Sequence, residues 1–243
     1  MGKQEKTIVI DGKDYTLNIF VERRNSVRAS LTNGGINIRL PKHLSTYEQN
    51  VQGKKLLDWA VAKIKSGASR EYGIKEYCHG HQLNVLGRVY TLDIEHRLSV
   101  KNFTKLKGDT IYLKIANHHS EEEKQEYISK QLRKILAQEH LEEITSHVHR
   151  INELCFGKNV GEVSIKYTTS RWGQCHTGSG DIHLSTRLLL APLPIIEYVI
   201  VHELAHLVHA NHSRRFWDRV GQADPDYKKK VKWIKANGYK LTL

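Results

Sequence analysis

The segment Tyr198–Ser213, Tyr-Val-Ile-Val-His-Glu-Leu-Ala-His-Leu-Val-His-Ala-Asn-His-Ser, constrains this chain more than any other. Within it His202-Glu203-Leu204-Ala205-His206 spells H-E-x-x-H, the pattern of a zinc-hydrolase helix. Residues four apart on an α-helix share a face, so His202 and His206 can present two imidazoles to one cation. Glu203 is rotated about 100° from His202, which suits a group that reaches a metal-bound water rather than the metal. With fifteen histidines in the chain, a chance match on a solvated helix is the alternative. Against it stand Tyr198–Val201, Leu204-Ala205 and Leu207-Val208, which make the helix apolar and hence buried; ionisable groups placed there need partners.

A catalytic zinc takes three protein ligands and keeps one open position, so one ligand remains to be found. His209 and His212 follow closely. If the helix continues, His209 stands about sixty degrees around the axis from His206, on the same side of the metal. A ligand from beyond the helix end approaches from across it. Ala210-Asn211 offers the turn, Ser213 a cap for a new helix through Arg214-Arg215-Phe216-Trp217, and His212 is the expected third ligand.

The rest of the composition bounds the surroundings. A length of 243 residues with 39% apolar content gives ample core for one large domain or two small ones, and no repeated segment stands out. No run approaches eighteen apolar residues and the N-terminus lacks a hydrophobic signal core, so a membrane span or export is not expected. Three scattered cysteines, Cys78, Cys155 and Cys175, form no disulfide framework, and the chain reads as cytoplasmic. The formal net charge of +12 favours anionic partners, DNA among them, met through a basic surface.

In chain order, Thr7–Ile10 and Tyr15–Val21 about Asp11-Gly12 read as a hairpin, and Val27–Leu31 with Ile36–Leu40 about Asn33–Gly35 as a second, together a small antiparallel sheet. Val51, Leu56, Leu57, Trp59-Ala60 and Ile64 place an amphipathic helix over 47–65 on that sheet. Gln82–Leu86 and Val89–Ile94 form another hairpin, followed by strands near 98–100 and 110–115. From Ser120, a capping signal, an apolar stripe runs helically for some thirty residues to Leu154, with His140, His147 and His149 expected at the surface. Val163–Tyr167 and Ile182–Ser185 read as strands, and Pro192-Leu193-Pro194 opens the metal-site helix. A last helix spans 225–236. The division expected is a β-rich region with one helix, 1–118, and a catalytic domain, 119–243.

Five motifs in order, Ser170-Arg-Trp-Gly-Gln-Cys175, Gly180-Asp-Ile-His-Leu184, Tyr198–His206, Asn211-His-Ser213 with Phe216-Trp217, and Pro225-Asp-Tyr227, resemble the YgjP-like metallopeptidase domain family, related to SprT-like and WLM proteases. The family usually has Gly-Ser-Cys where this chain has Gly173-Gln174-Cys175, and Leu-Asn where it has Leu184-Ser185. The resemblance implies an α+β, zincin-like fold, one Zn²⁺ per chain on His202, His206 and His212, and Glu203 as catalytic acid/base.

The reaction expected is hydrolysis of a peptide bond in a protein or peptide substrate. Ile182–Ser185, with His183, is read as an edge strand able to bind an extended peptide. Arg171 and Trp172 are read either as a substrate-site buttress or as an Arg171-on-Trp172 stack that holds a loop. Two other readings are a metal-dependent nucleoside triphosphate pyrophosphatase, for which no Gly-rich phosphate cradle or carboxylate cluster is seen, and a nucleic-acid-binding module with structural zinc, which has no need of Glu203. A protease recruited to DNA joins the first reading to the charge.

Overall fold

The computed structural model describes residues 2–32, 35–65, 76–98 and 101–243. The turn expected at 33–34 and the strand expected to reach 99–100 lie outside them. The chain is α+β and divides into two compact units, Met1–Lys75 and Glu76–Leu243.

In the first unit β1 (Gly2–Ile10) and β2 (Lys13–Glu22) form an antiparallel hairpin. Its turn residues Asp11 and Gly12 both have positive φ, 49° and 76°, the two-residue geometry whose twist matches that of the strands. β3 (Arg28–Thr32) and β4 (Gly35–Pro41) form the second hairpin. The two hairpins join through β2 and β4, which run parallel, so the order is β1-β2-β4-β3 and the sheet is mixed, not antiparallel. α1 (Thr46–Lys65) covers it, closing a core of Ile10, Leu17, Ile36, Ile38, Leu40, Ala60 and Ile64. Trp59, expected in that core, is half exposed.

The second unit opens on the same plan. β5 (Gln82–Val85) pairs antiparallel with β6 (Arg88–Arg97), and β7 (Phe103–Lys107) with β8 (Thr110–Ala116); β6 and β8 run parallel at the centre. The register is that of the first sheet displaced by 75 residues: Leu17 faces Ile36 and Leu92 faces Ile111, while Glu22 faces Pro41 and Arg97 faces Ala116. The turn Leu86-Gly87 again has positive φ twice. A helix follows both sheets. Ser45 N–H donates to Glu48 and Ser120 N–H to Glu123, each at 2.8 Å, so even the helix caps repeat. The repeat escapes the eye in sequence because little beyond Tyr15-Thr-Leu-Asn-Ile19 and Tyr90-Thr-Leu-Asp-Ile94 is alike.

The expected helical stripe after Ser120 breaks at His140 into α2 (Glu121–Glu139) and α3 (Leu141–Ile151), with a π turn over Asn152–Phe156. His140 is buried, not at the surface: its ring meets the Tyr90 hydroxyl at 3.0 Å and Glu143 at 2.9 Å. A three-stranded sheet follows, ordered β10 (Gly173–His176), β11 (Asp181–Ser185), β9 (Val163–Lys166). α4 (Leu193–Ala205), α5 (Arg214–Ala223) and α6 (Tyr227–Asn237) complete the unit.

One core runs from Leu83, Tyr90, Leu92, Ile111, Leu113 and Ile115 through α2 and α3 to the buried face of α4. The first compact unit ends at Lys75, and β5–β8 share their apolar face with the C-terminal helices. No helix among the described residues is long and apolar enough to cross a membrane.

Candidate metal centre

α4 starts at the Pro192–Pro194 break and is buried nearly all round, from Ile195 and Ile196 through Leu204 and Ala205. It ends at Ala205. The next N–H groups, of His206, Leu207 and Val208, bond back three residues, a tightening that turns the chain off the helix axis. His209 is thereby carried away from the cluster, and its carbonyl lies 3.3 Å from Nδ1 of His206. The loop returns at His212, and Ser213 precedes α5 as expected, although its hydroxyl makes no capping bond.

His202, His206 and His212 consequently converge. One ring nitrogen from each lies within 4.8 Å of the others, and Nε2 of His202 and Nε2 of His212 are 3.0 Å apart. Phe216, fully buried on the first turn of α5, sits 4.6–5.0 Å from all three rings, and Trp217 stacks on His212 and on Tyr227. These aromatics pack against the imidazoles. The cluster is the only group of three or more His, Cys, Asp or Glu side chains with metal-ligand spacing among the described residues.

The donor set fits a divalent cation. Burial, then the charges of His206 and His212, push the His202 imidazole down to about 4, and burial lowers His206 too, so these two rings are held in the neutral form that ligates metal. The His209 carbonyl at Nδ1 of His206 fixes that tautomer and turns Nε2 inward. Nδ1 of His202 is buried without a hydrogen bond. Three imidazoles suit zinc best among common cations.

Glu203 is buried beside the cluster. Burial pushes its carboxyl up to about 8, against the opposing pull of the Arg171 charge and of a hydrogen bond from the Cys175 N–H. Its carboxylate lies flat on Gly173: a Cβ built there would stand 2.5 Å from Oε1 and 2.7 Å from Cγ. Only glycine lets β10 approach this closely. The glycine within Arg171-Trp-Gly-Gln-Cys175 is the sequence signal for this approach. Burial also raises the Cys175 thiol to about 11, which keeps it protonated near neutrality and a poor nucleophile.

The other expected site residues separate. Arg171 is exposed, donates to Gln174 at 2.8 Å, and acts on Glu203 through charge. The cation over the Trp172 ring is Arg187, at 4.3 Å, not Arg171; Arg187 also donates to the carbonyls of Gly238 and Leu241. Trp172 is thus held by Arg187. His183 bonds Ser164 on the face of the sheet opposite the buried Ile182 and Leu184. Its strand, β11, is central and pairs on both sides, so it offers no edge to a peptide; β10 is the edge strand.

A histidine cluster of this kind on an α+β scaffold is what metal-dependent hydrolases present. The chain belongs to one family of them: the YgjP-like metallopeptidase domain matches residues 23–237, nearly the whole length. Among solved structures it is similar to the metallopeptidase zymogen abylysin of Pyrococcus abyssi, with 22% identity over 38% of this chain and 92% of that one, at a TM-score of 0.36. It is also similar to the zymogen jannalysin of Methanocaldococcus jannaschii, with 17% identity over 38% and 95%, at a TM-score of 0.34. Comparison with curated proteins gives no match.

Proposed function

We propose that the chain is a zinc-dependent peptidase of zincin type, in which His202, His206 and His212 hold one zinc ion and Glu203 moves the proton. The observation that carries this reading is the convergence of the three imidazoles with Glu203 buried one residue along the same helix. Zinc in such a site supplies Lewis acidity toward a carbonyl and brings the pKa of a water molecule to about 7. With the charge of bound zinc opposing the burial that raises its pKa, Glu203 would be ionised there and would take the proton of the attacking water and return it to the leaving amine. Gly173 and the Cys175 N–H fix its carboxylate for both transfers, and Arg171 favours its charged form. Beside it, the outer edge of β10 can take an extended peptide by strand addition, which selects unfolded segments.

The test is degradation of casein by the zinc-loaded chain, with Glu203→Gln in parallel and nucleoside triphosphates assayed alongside. The variant is expected to keep one zinc per chain and lose activity by about a hundredfold or more. Undiminished cleavage in the zinc-bound variant, or turnover of triphosphates and not of protein, would sink the proposal.

A further inference from the structure

We propose that the first unit carries a phosphate-binding pocket, formed where the parallel strands β2 and β4 end. Both strands run out at the same level, Glu22 facing Pro41, and the Lys42 N–H donates to the Glu22 carbonyl at 2.9 Å. The chain leaves β2 as Arg23-Arg24-Asn25 and β4 as Lys42-His43. These five residues line one cavity of about 590 Å³, large enough for a nucleotide-sized group. The carboxyl ends of adjacent parallel strands are a recurrent place for ligand sites, since the outgoing segments diverge around a crevice.

The charge there is not neutralised. Glu22 is shared between Arg24, at 3.2 Å, and Arg39, at 3.0 Å. Glu48 is engaged by Ser45 at the start of α1. The side chains of Arg23 and Lys42 have no carboxylate partner among the described residues, and Nε of Arg24 is buried without a hydrogen bond. Arg24 and Arg39 thus share the carboxylate of Glu22, while Arg23 and Lys42 add two cations that no carboxylate pairs among the described residues. A solvated basic face spreads its charges apart, whereas Arg23, Arg24 and Lys42 line one concavity. Met1–Lys75 holds 14 Lys and Arg against 7 Asp and Glu, so more than half of the net +12 lies on less than a third of the chain.

The second sheet shows that the fold does not require these residues. At the matching end of β6 and β8 the Asn117 N–H donates to the Arg97 carbonyl, again at 2.9 Å, yet Leu98 and Asn117 stand where the first sheet has Arg23 and Lys42. The cations are an addition to the scaffold. Their ligand is a phosphate group, borne either by a nucleic-acid backbone or by a small phosphate compound. All five lining residues belong to the first unit.

The experiment measures fluorescence anisotropy of a short labelled single-stranded DNA with the full chain, across a salt series and with inorganic phosphate or a nucleoside monophosphate as competitor. Arg23→Ala/Lys42→Ala is compared with Lys54→Ala/Lys55→Ala, which removes the same charge from the exposed side of α1. The pocket pair is expected to weaken binding on the order of tenfold and to flatten the salt slope by about 1.4, and the α1 pair to do far less. Displacement by free phosphate identifies the small compound as sufficient, and selective loss in the pocket pair without such displacement identifies the backbone. Equal losses in the two pairs, with unchanged melting curves, or no binding of DNA, phosphate or nucleotide by the wild type, would overturn the pocket.

Discussion

Two sheets of one topology, β1-β2-β4-β3 and β5-β6-β8-β7, occur 75 residues apart in this chain and are used in opposite ways. The first closes on α1 and completes a small core of its own. The second leaves its apolar face to α2, α3 and the helices of the metal centre. One pentapeptide shows the difference. Tyr15, in Tyr-Thr-Leu-Asn-Ile, is half-buried at the margin of its core, while Tyr90, in Tyr-Thr-Leu-Asp-Ile, is fully buried and bonded to His140. The strand order alone, then, does not say what a sheet is for; the face it presents and its partners do.

The sharpest way to break this contrast is to cut the chain. Residues 76–243 are expected to fold cooperatively and bind zinc, and residues 119–243 are not. Removing β5–β8 takes away Tyr90, Leu92, Ile111, Leu113 and Ile115, all at 0% exposure. At about 2 kcal/mol per buried side chain, their joint contribution is about 10 kcal/mol, comparable to the whole net stability of a domain. Thermal melts followed by circular dichroism and a zinc titration of each fragment check this. A folded, zinc-binding 119–243 would support the domain boundary read from sequence.

Next in size come single truncations at matched positions. Ile38 and Leu113 occupy the same place in the two sheets and are both at 0% exposure. Either change to Ala costs about 2–5 kcal/mol. Leu113→Ala is expected to lower the temperature at which zinc is lost, since its core continues to α4. Ile38→Ala is expected to lower the melting of the first unit and leave zinc retention unchanged. A chelator complements them: withdrawing zinc bound at a thousandfold over its Kd removes about 4 kcal/mol from the unit that holds it. If zinc release follows Ile38→Ala as closely as Leu113→Ala, the two units melt as one and the contrast fails.

What could be read in advance follows the same physical line. The hairpins, α1, the Ser120 cap and the end of the last helix rest on local chemistry, turn residues with positive φ and capping side chains, and the structure has them. The cluster of His202, His206 and His212 was legible because four-residue spacing and a turn suffice to place it. Pairings between distant strands were not. Nothing local in Ile182–Ser185 says that β9 will join it on one side and β10 on the other, so the edge strand was misplaced by one. Arg187 over Trp172 and Tyr90 on His140 are contacts across 15 and 50 residues, set by tertiary packing. The break at His140 was hidden for the same reason: its partner is on another element.

The smallest expected effect isolates that last contact. Tyr90→Phe keeps the ring and its burial but removes the hydroxyl that meets Nε2 of His140, leaving a buried imidazole nitrogen unsatisfied at the junction of α2 and α3. Such a group costs about 1–3 kcal/mol, which in a unit of this size lowers the melting temperature by about 2–12 °C. Tyr15→Phe, at the equivalent place, is expected to change melting by less than about 1 °C, since no hydrogen bond of its hydroxyl is seen among the described residues. The double variant Tyr90→Phe/His140→Phe separates the bond from the packing: if it regains stability over Tyr90→Phe alone, the loss was the orphaned nitrogen. Equal losses at Tyr15 and Tyr90 would mean that the two tyrosines serve only as ring volume, and that His140 breaks the helix without help from the second sheet.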